Sequence, residues 1–420
     1  MGAVLAALNL SAPAASALCT ISGEKWPATL SFCDSTGLTV PLYLRCGEDL
    51  PPDVRSQIAN KLRNNAARWT RLKSTYAEIS SALEASGIKF AVLKGFSQWP
   101  LFARDPRHRS QYDIDLLLER CDLDRAAEIA GHLGFEPAVP VGRRPVVDHF
   151  PTLIRKTGWV WRDDYFDPDI PFSLELHFRC WDAETEGFGP ENLEQIFWNR
   201  LCQRQCEELS FQSLNDTDSL LYASLHALRH VLRGNVRASH IYEIAWFLHG
   251  QSCNGEFWRA WRDCFSDELR AYQAICFALA QSWFGPTFHP IVEESVSSLP
   301  SPVRRWLARY SLSPLTKLFK ANKHEIWLHW SLLTSTRQRV SVLRRRLIPV
   351  QMPGPVSAVH LQPQQLTLKI RLEAHWTYLR YLSQRLRHHF ASLLPTSISA
   401  AVWFACGWRD RLHYRRPYKL

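Results

Sequence analysis

The stretch that most restricts the fold is Ile88–Leu118, IKFAVLKGFSQWPLFARDPRHRSQYDIDLLL. An apolar, partly β-branched run from Ile88 to Leu93 breaks at Lys94-Gly95, and a second run, Asp113 to Leu118, carries two aspartates one pleat apart. Strand side chains alternate with a period of two, so Asp113 and Asp115 share one face while Ile114 and Leu116 take the other. The spacing predicts strand, glycine turn, short helix, strand. A glycine at a strand-to-helix handover lets backbone N–H groups approach an anion closely, and Lys94 adds a point charge. Two carboxylates on one face suit a hard cation such as Mg²⁺. A phosphate cradle beside a carboxylate pair describes a metal-nucleotide site. The same acid spacing recurs at Asp122/Asp124, Asp167/Asp169 and Asp216/Asp218, where helix caps and turns are the expected use. The apolar strand around Asp113/Asp115, and the glycine turn before it, set that pair apart.

A third acid is sought downstream, in PFSLELHFR. Phe172, Leu174, Leu176 and Phe178 alternate with Ser173, Glu175, His177 and Arg179, so Glu175 and His177 share a polar face. A half-exposed edge strand with ordinary polar residues satisfies the same pattern. Between the signature strands, Arg104, Arg107 and Arg109 flank a turn at Asp105-Pro106.

The order LKG, short helix, Arg109, Asp113-Ile-Asp115-Leu-Leu resembles an uncharacterised bacterial nucleotidyltransferase family of the DNA polymerase β-like superfamily. The superfamily has Gly-Ser or Gly-Gly after its first strand; the family has Lys-Gly, as at Lys94-Gly95. The resemblance implies Asp113, Asp115 and Glu175 as catalytic metal ligands, with Glu175-Leu176-His177 standing where the family usually has Asp-Leu-His. It implies Lys94, Gly95, Arg109 and His177 as nucleotide-binding residues and Mg²⁺ or Mn²⁺ as cofactor. The donor is an NTP, with ATP expected, and pyrophosphate leaves. The acceptor hydroxyl, on a protein, peptide, small molecule or RNA, is not legible. A rival of another class is a catalytically silent nucleotide- or polyanion-binding scaffold on the same fold, motivated by Glu175 and by the basic C-terminal region.

The expected fold is α+β: a small mixed polymerase β-like sheet with helices on one face, embedded in a largely helical chain. Four segments are expected: 1–86, an N-terminal segment and helical layer; 87–185, the catalytic core; 186–300, a helical domain; and 301–420, a basic helical region. From Pro51 to Ser86 apolar residues recur at three, four or seven positions, a helix whose stripe packs on the sheet. Asp122 to Phe135 reads as a second helix, His149 to Lys156 as a strand, and everything from about Pro190 as helical. His226 and His230, four apart in LLYASLHALRHVL, have the spacing of two ligands on one helix face. With no carboxylate beside them, they read as core or substrate-facing histidines. The helix that follows carries Glu243 near its start, as the resembled family has an acid there.

Charge divides the chain. Residues 301–420 hold 21 Lys+Arg against three acids, a net +18, whereas residues 1–300 hold 29 against 37, a net −8. Basic residues interleaved with Trp327, Trp330, Trp376, Tyr378 and Tyr381 suit a polyanion or an anionic membrane surface as well as a solvated face. Eleven cysteines without a regular framework fit a reducing compartment, and Cys202/Cys206 read as free thiols one helical turn apart. The N-terminal nineteen residues lack a basic n-region, and the longest apolar run near the other end, Ile398–Trp408, is about half a membrane span. A cytoplasmic protein with no transmembrane helix is expected.

Overall fold

A computed structural model describes residues 1–138, 148–348, 360–365 and 367–414. Seven strands form one mixed sheet: β1 Phe90–Val92, β2 Asp113–Leu118, β3 Phe135–Pro137, β4 Leu153–Arg155, β5 Ser173–His177, β6 Leu201–Cys206 and β7 Leu209–Leu214. Their order is β3-β4-β5-β2-β1-β7-β6. The two signature strands, β1 and β2, are antiparallel neighbours, whereas β2 and β5 run parallel. The α+β class and the mixed sheet are as the sequence implied.

Alternation along the strands builds two cores, one on each side of the sheet. Phe90, Val92, Ile114, Leu116, Leu118, Leu174 and Leu176 face a core completed by Trp69, Leu72, Tyr76, Ile79 and Leu83 and by the short helix Leu123–His132. Ala91, Leu93 and Leu117 face the other, larger core, made with the helices Asp216–Arg233, Ala238–Gly250 and Asp267–Phe284. Helices therefore cover both faces, not one. The expectation of a single covered face missed that Ala91, Leu93 and Leu117 are apolar on the side that carries the acids.

The long helix Pro52–Ala85 matches its predicted span to within a residue at each end, and its stripe is buried from Val54 to Leu83. Its first turns join the larger core and its second half joins the smaller one. Each such buried side chain contributes about 1.5–3 kcal/mol. Two polar residues on this buried face, Asn65 and Arg68, hold the loop that leads into β2. Asn65 Nδ2 donates to the carbonyls of Arg107 at 2.5 Å and Arg109 at 3.2 Å, and Arg68 donates to the carbonyls of Gln111 and Tyr165. The approach to the acidic strand is thus fixed by the helix packed beneath it.

Three further readings are corrected. The region after Pro190 is not wholly helical, because Leu201–Leu214 is an antiparallel hairpin, β6 and β7, extending the sheet beyond β1. Its edge strand has few inward apolar residues, so the alternation is weak; the anchor is Phe211, packed edge-on against Phe96 at 4.9 Å and Tyr76 at 6.1 Å. Cys202 and Cys206 consequently lie on a strand, about 13 Å apart at strand rise, and not on one helical turn. The predicted strand His149–Lys156 is shorter, Leu153–Arg155, with His149 making an isolated bridge to His177. All eleven cysteines are free thiols.

Of the basic region, residues 349–359, 366 and 415–420 lie outside the described residues. The rest ends in one helix, Leu368–Tyr414, long and apolar enough over part of its length to cross a membrane by length and composition, with 22% of that stretch buried in the molecule. The apolar run noted in the sequence, Ile398–Trp408, lies within it. The helix docks through Trp403, stacked on Trp327 at 6.3 Å and covered by Arg305 at 4.3 Å, and through Ser399, which accepts from Trp327 Nε1 at 2.8 Å.

Candidate active site

The site is set by strand register. Asp115 pairs with Glu175 and Leu117 with His177 across the parallel β2/β5 pair, so the polar faces of the two strands coincide. Asp115 is fully buried, and Asp113, one pleat nearer the strand start, is about one-third exposed. The Asp115 Oδ1 atom lies 3.1 Å from His177 Nε2 and 3.1 Å from Lys94 Nζ, while Oδ2 is buried without a hydrogen-bond partner. Nε2 of His177 also lies 3.5 Å from Glu175 Oε2, and Thr152 on the loop before β4 donates to Glu175 Oε1 at 3.3 Å. One ligand-type atom from each of Asp115, Glu175 and His177 falls within a 4.8 Å cluster.

Electrostatics follow from packing these charges out of water. Burial alone would lower the Lys94 ammonium, but the carboxylates of Asp113, Asp115 and Glu175 more than reverse this and hold it protonated. Burial would likewise lower His177, yet its hydrogen bonds to Asp115 and Glu175 push it up to about 9. Glu175 would rise on burial; the bond to His177 and the charge of Lys94 bring it down to about 2. The cluster is therefore an ion network in which two cations, Lys94 and His177, face three carboxyl groups.

Not every predicted residue takes its expected place. Lys94 faces the carboxylates, with Asp113 Oδ2 at 3.4 Å. Gly95 has φ +79°, a left-handed conformation that glycine adopts without strain, and it opens a four-residue 3₁₀ turn, Gly95–Gln98. A side chain here would collide with Gln111, 2.2 Å from the position of an added Cβ. Gln111 itself accepts from Phe96 N–H at 3.1 Å and donates to the Asp113 carbonyl at 2.7 Å, so it ties the turn to the acidic strand. Arg109 forms a bidentate pair with Glu243, at 2.9 and 3.2 Å, and does not touch Asp113 or Asp115. His177 is the bridge between acids.

Sequence reasoning missed Gln111, Thr152, Asp148 and Arg229. Asp148 and Arg229 pair at 2.5 Å, linking the segment before β4 to the helix over the site. Gln111 and Thr152 had no motif to mark them. Arg229 sits between the two noted histidines, the only signal that its helix faces the site. Beside Arg109 a cavity of about 390 Å³ opens, lined by Arg104, Arg109, Tyr112, Arg237, Glu243 and Trp246. Asp113, Asp115 and Glu175 are not part of its wall.

A family model described as uncharacterised nucleotidyltransferase matches residues 22–285. The chain belongs to that family. No curated protein and no solved structure shows significant similarity to it. Nucleotidyltransferases generally use divalent ions, and Asp115, Glu175 and His177 form a cluster that could hold one. The donor set fits such an ion: the orphaned, buried Oδ2 of Asp115 is the kind of atom a cation completes, and Glu175 adds a hard oxygen ligand, whereas Asp113, one pleat away, lies outside the cluster that these two form with His177. The match spans the long helix, the sheet and the helices to Gly285, while residues 286–420 lie beyond it.

Proposed function

We propose that this nucleotidyltransferase moves a nucleoside monophosphate from an NTP, ATP being the expected donor, to an acceptor hydroxyl. The new bond joins the acceptor oxygen to the α-phosphorus, the bond from that phosphorus to the bridging oxygen breaks, and pyrophosphate leaves with the electron pair. The observation that carries the reading is the register that sets Asp115 opposite Glu175, with Asp113 one pleat away and Asp115 Oδ2 unpartnered. Asp113, Asp115 and Glu175 would hold Mg²⁺ or Mn²⁺, which when bound neutralises triphosphate charge and acidifies the acceptor hydroxyl. His177 fixes the rotamers of Asp115 and Glu175 through its two contacts. Lys94 is the cation nearest the acids, and Arg109, oriented by Glu243, keeps further N–H groups for phosphate. The cavity beside Arg109 is proposed to receive the acceptor or the base. Use of a free NTP puts the protein, in this proposal, in the cytoplasm, in keeping with its unpaired thiols.

A second reading, a silent nucleotide- or polyanion-binding scaffold, draws on one observation. The ammonium of Lys94 already lies against the acids and Gln111 already takes the Phe96 N–H, the places a cation and a phosphate would compete for. The test is pyrophosphate release and label transfer from each α-labelled NTP with Mg²⁺ or Mn²⁺, using cell extract as acceptor source. Transfer by the wild type, abolished in Asp113→Ala and Asp115→Asn proteins that still unfold cooperatively, supports the enzyme. Nucleotide binding with no transfer across all four NTPs and both ions favours the scaffold.

A further inference from the structure

Helix Asp216–Arg233 ends in a glycine with φ +71°, Gly234, and the chain returns within four residues into helix Ala238–Gly250. This tight return brings His240 against His226 and His230. The three rings stand 4.5, 5.0 and 5.3 Å apart by centroid, and one nitrogen from each lies within 4.8 Å of the other two. The Nδ1 atoms of His226 and His240 are buried with no hydrogen-bond partner. Nδ1 of His230 lies 3.1 Å from Asn235 Oδ1; an amide oxygen accepts, so Nδ1 carries the proton and Nε2 keeps its lone pair.

We propose that His226, His230 and His240 form a three-nitrogen site for a borderline divalent transition ion, Zn²⁺ first, separate from the carboxylate cluster. Three neutral imidazoles with no carboxylate among them suit Zn²⁺, Co²⁺ or Ni²⁺ and not Mg²⁺. Tetrahedral ligation needs nitrogens about 3.3 Å apart, so the rings would have to draw in from a cluster that spans up to 4.8 Å. A protein supplying three ligands leaves the fourth position to water or substrate, and none of the three residues is fully buried.

Protonation does not obstruct the site. Burial lowers all three histidines, His230 to about 4, and the neighbouring positive charges lower them further, so the rings are neutral at physiological pH. Those same charges, Lys94, Arg109, Arg229, Arg233 and Arg237, would oppose a cation. Four of them are neutralised: Lys94 by Asp113 and Asp115, Arg109 by Glu243, Arg229 by Asp148, and Arg233 by Glu186. Arg237 packs over the Tyr112 ring, 5.0 Å from its centroid. His240 is one turn from Glu243, so an ion here braces the helix that orients Arg109.

The test uses the full chain without a polyhistidine tag, stripped of metal, in an Asp115→Asn/Glu175→Gln background that disables the carboxylate cluster. Zn²⁺ binding is followed by calorimetry, and Co²⁺ binding by the visible bands of a tetrahedral site. One ion per chain, with affinity falling at least about 100-fold in His240→Ala, is expected. Where His240→Ala shifts the metal-free melt, His230→Gln replaces it, since that residue stands in the last turn of its helix and glutamine keeps a hydrogen-bonding side chain there. Equal affinity with and without the histidine, or Zn²⁺ binding present in the wild type but absent from the Asp115→Asn/Glu175→Gln protein, overturns the proposal.

Discussion

Replacing Gly95 by alanine tests whether the glycine exists for the Gln111 tie or for a phosphate alone. Alanine at φ +79° costs about 1–2 kcal/mol in backbone strain. Its methyl group would stand 2.2 Å from Gln111 Nε2 and 2.4 Å from Cδ, so the amide must leave. Departure breaks the bonds to Phe96 N–H and the Asp113 carbonyl, each worth about 1 kcal/mol, and orphans those groups. Gly95→Ala should therefore cost about 3–5 kcal/mol. Gln111→Ala alone should cost about 2–4 kcal/mol, since it loses the same two bonds. In the double variant the collision has vanished and only the strain is added, so the pair should be non-additive by about 2 kcal/mol in the sparing direction. Urea unfolding of the four proteins, compared by midpoint at constant slope, measures this cycle. Additive costs, or a Gly95→Ala cost below about 1 kcal/mol, would refute the reasoning.

Shortening the third acid, Glu175→Asp, should lose the Thr152 bond and withdraw the carboxylate by one methylene, lowering transfer about 10–100-fold in single-turnover assays. Higher activity than wild type would mean that Glu175 is a defect. Arg109→Lys cannot keep a bidentate pair and should raise KM for the donor with little change in melting, whereas Glu243→Gln should do so more weakly, as steady-state kinetics will show. Lys323 is brought down to about 8, chiefly by burial. The unfolded chain therefore binds more protons between pH 8 and 10.5, and this group makes stability rise with pH across that window. Melts of wild type minus Lys323→Met should show that rise; a flat difference contradicts it.

Period-two alternation made the central strands legible before any coordinates. Asp113/Asp115 against Ile114/Leu116, and Glu175/His177 against Leu174/Leu176, each imply one polar and one apolar face, and the fold puts the two polar faces together. The long helix was legible because its stripe runs about eight turns, Val54 to Leu83, with a proline start. The β6/β7 hairpin was not, because an edge strand such as LCQRQC needs few inward apolar residues and shows little alternation. Nor were the partners of Arg109 and Lys94 legible. Glu243 lies 134 residues from Arg109, and such a contact exists only once the helical layer has closed over the sheet. His240 escaped for the same reason: two ligands on one helix show as a spacing, and a third, brought in by a turn, does not.

The longer acid at 175 is where sequence and structure bear most directly on each other. A shorter acid in register with Asp115 would leave a gap between the strand and Thr152; glutamate fills it and accepts a bond at 3.3 Å. His177 then reaches both acids from one ring nitrogen, 3.1 Å to Asp115 and 3.5 Å to Glu175. A carboxylate held from two sides is pre-organised, whereas an idle one on a half-exposed strand would gain nothing from such support. The glutamate that stands where the resemblance implies an aspartate thus comes with its own support, Thr152, beside a histidine that the resemblance implies in either case. It weighs against the silent scaffold, whose first motive was that same glutamate.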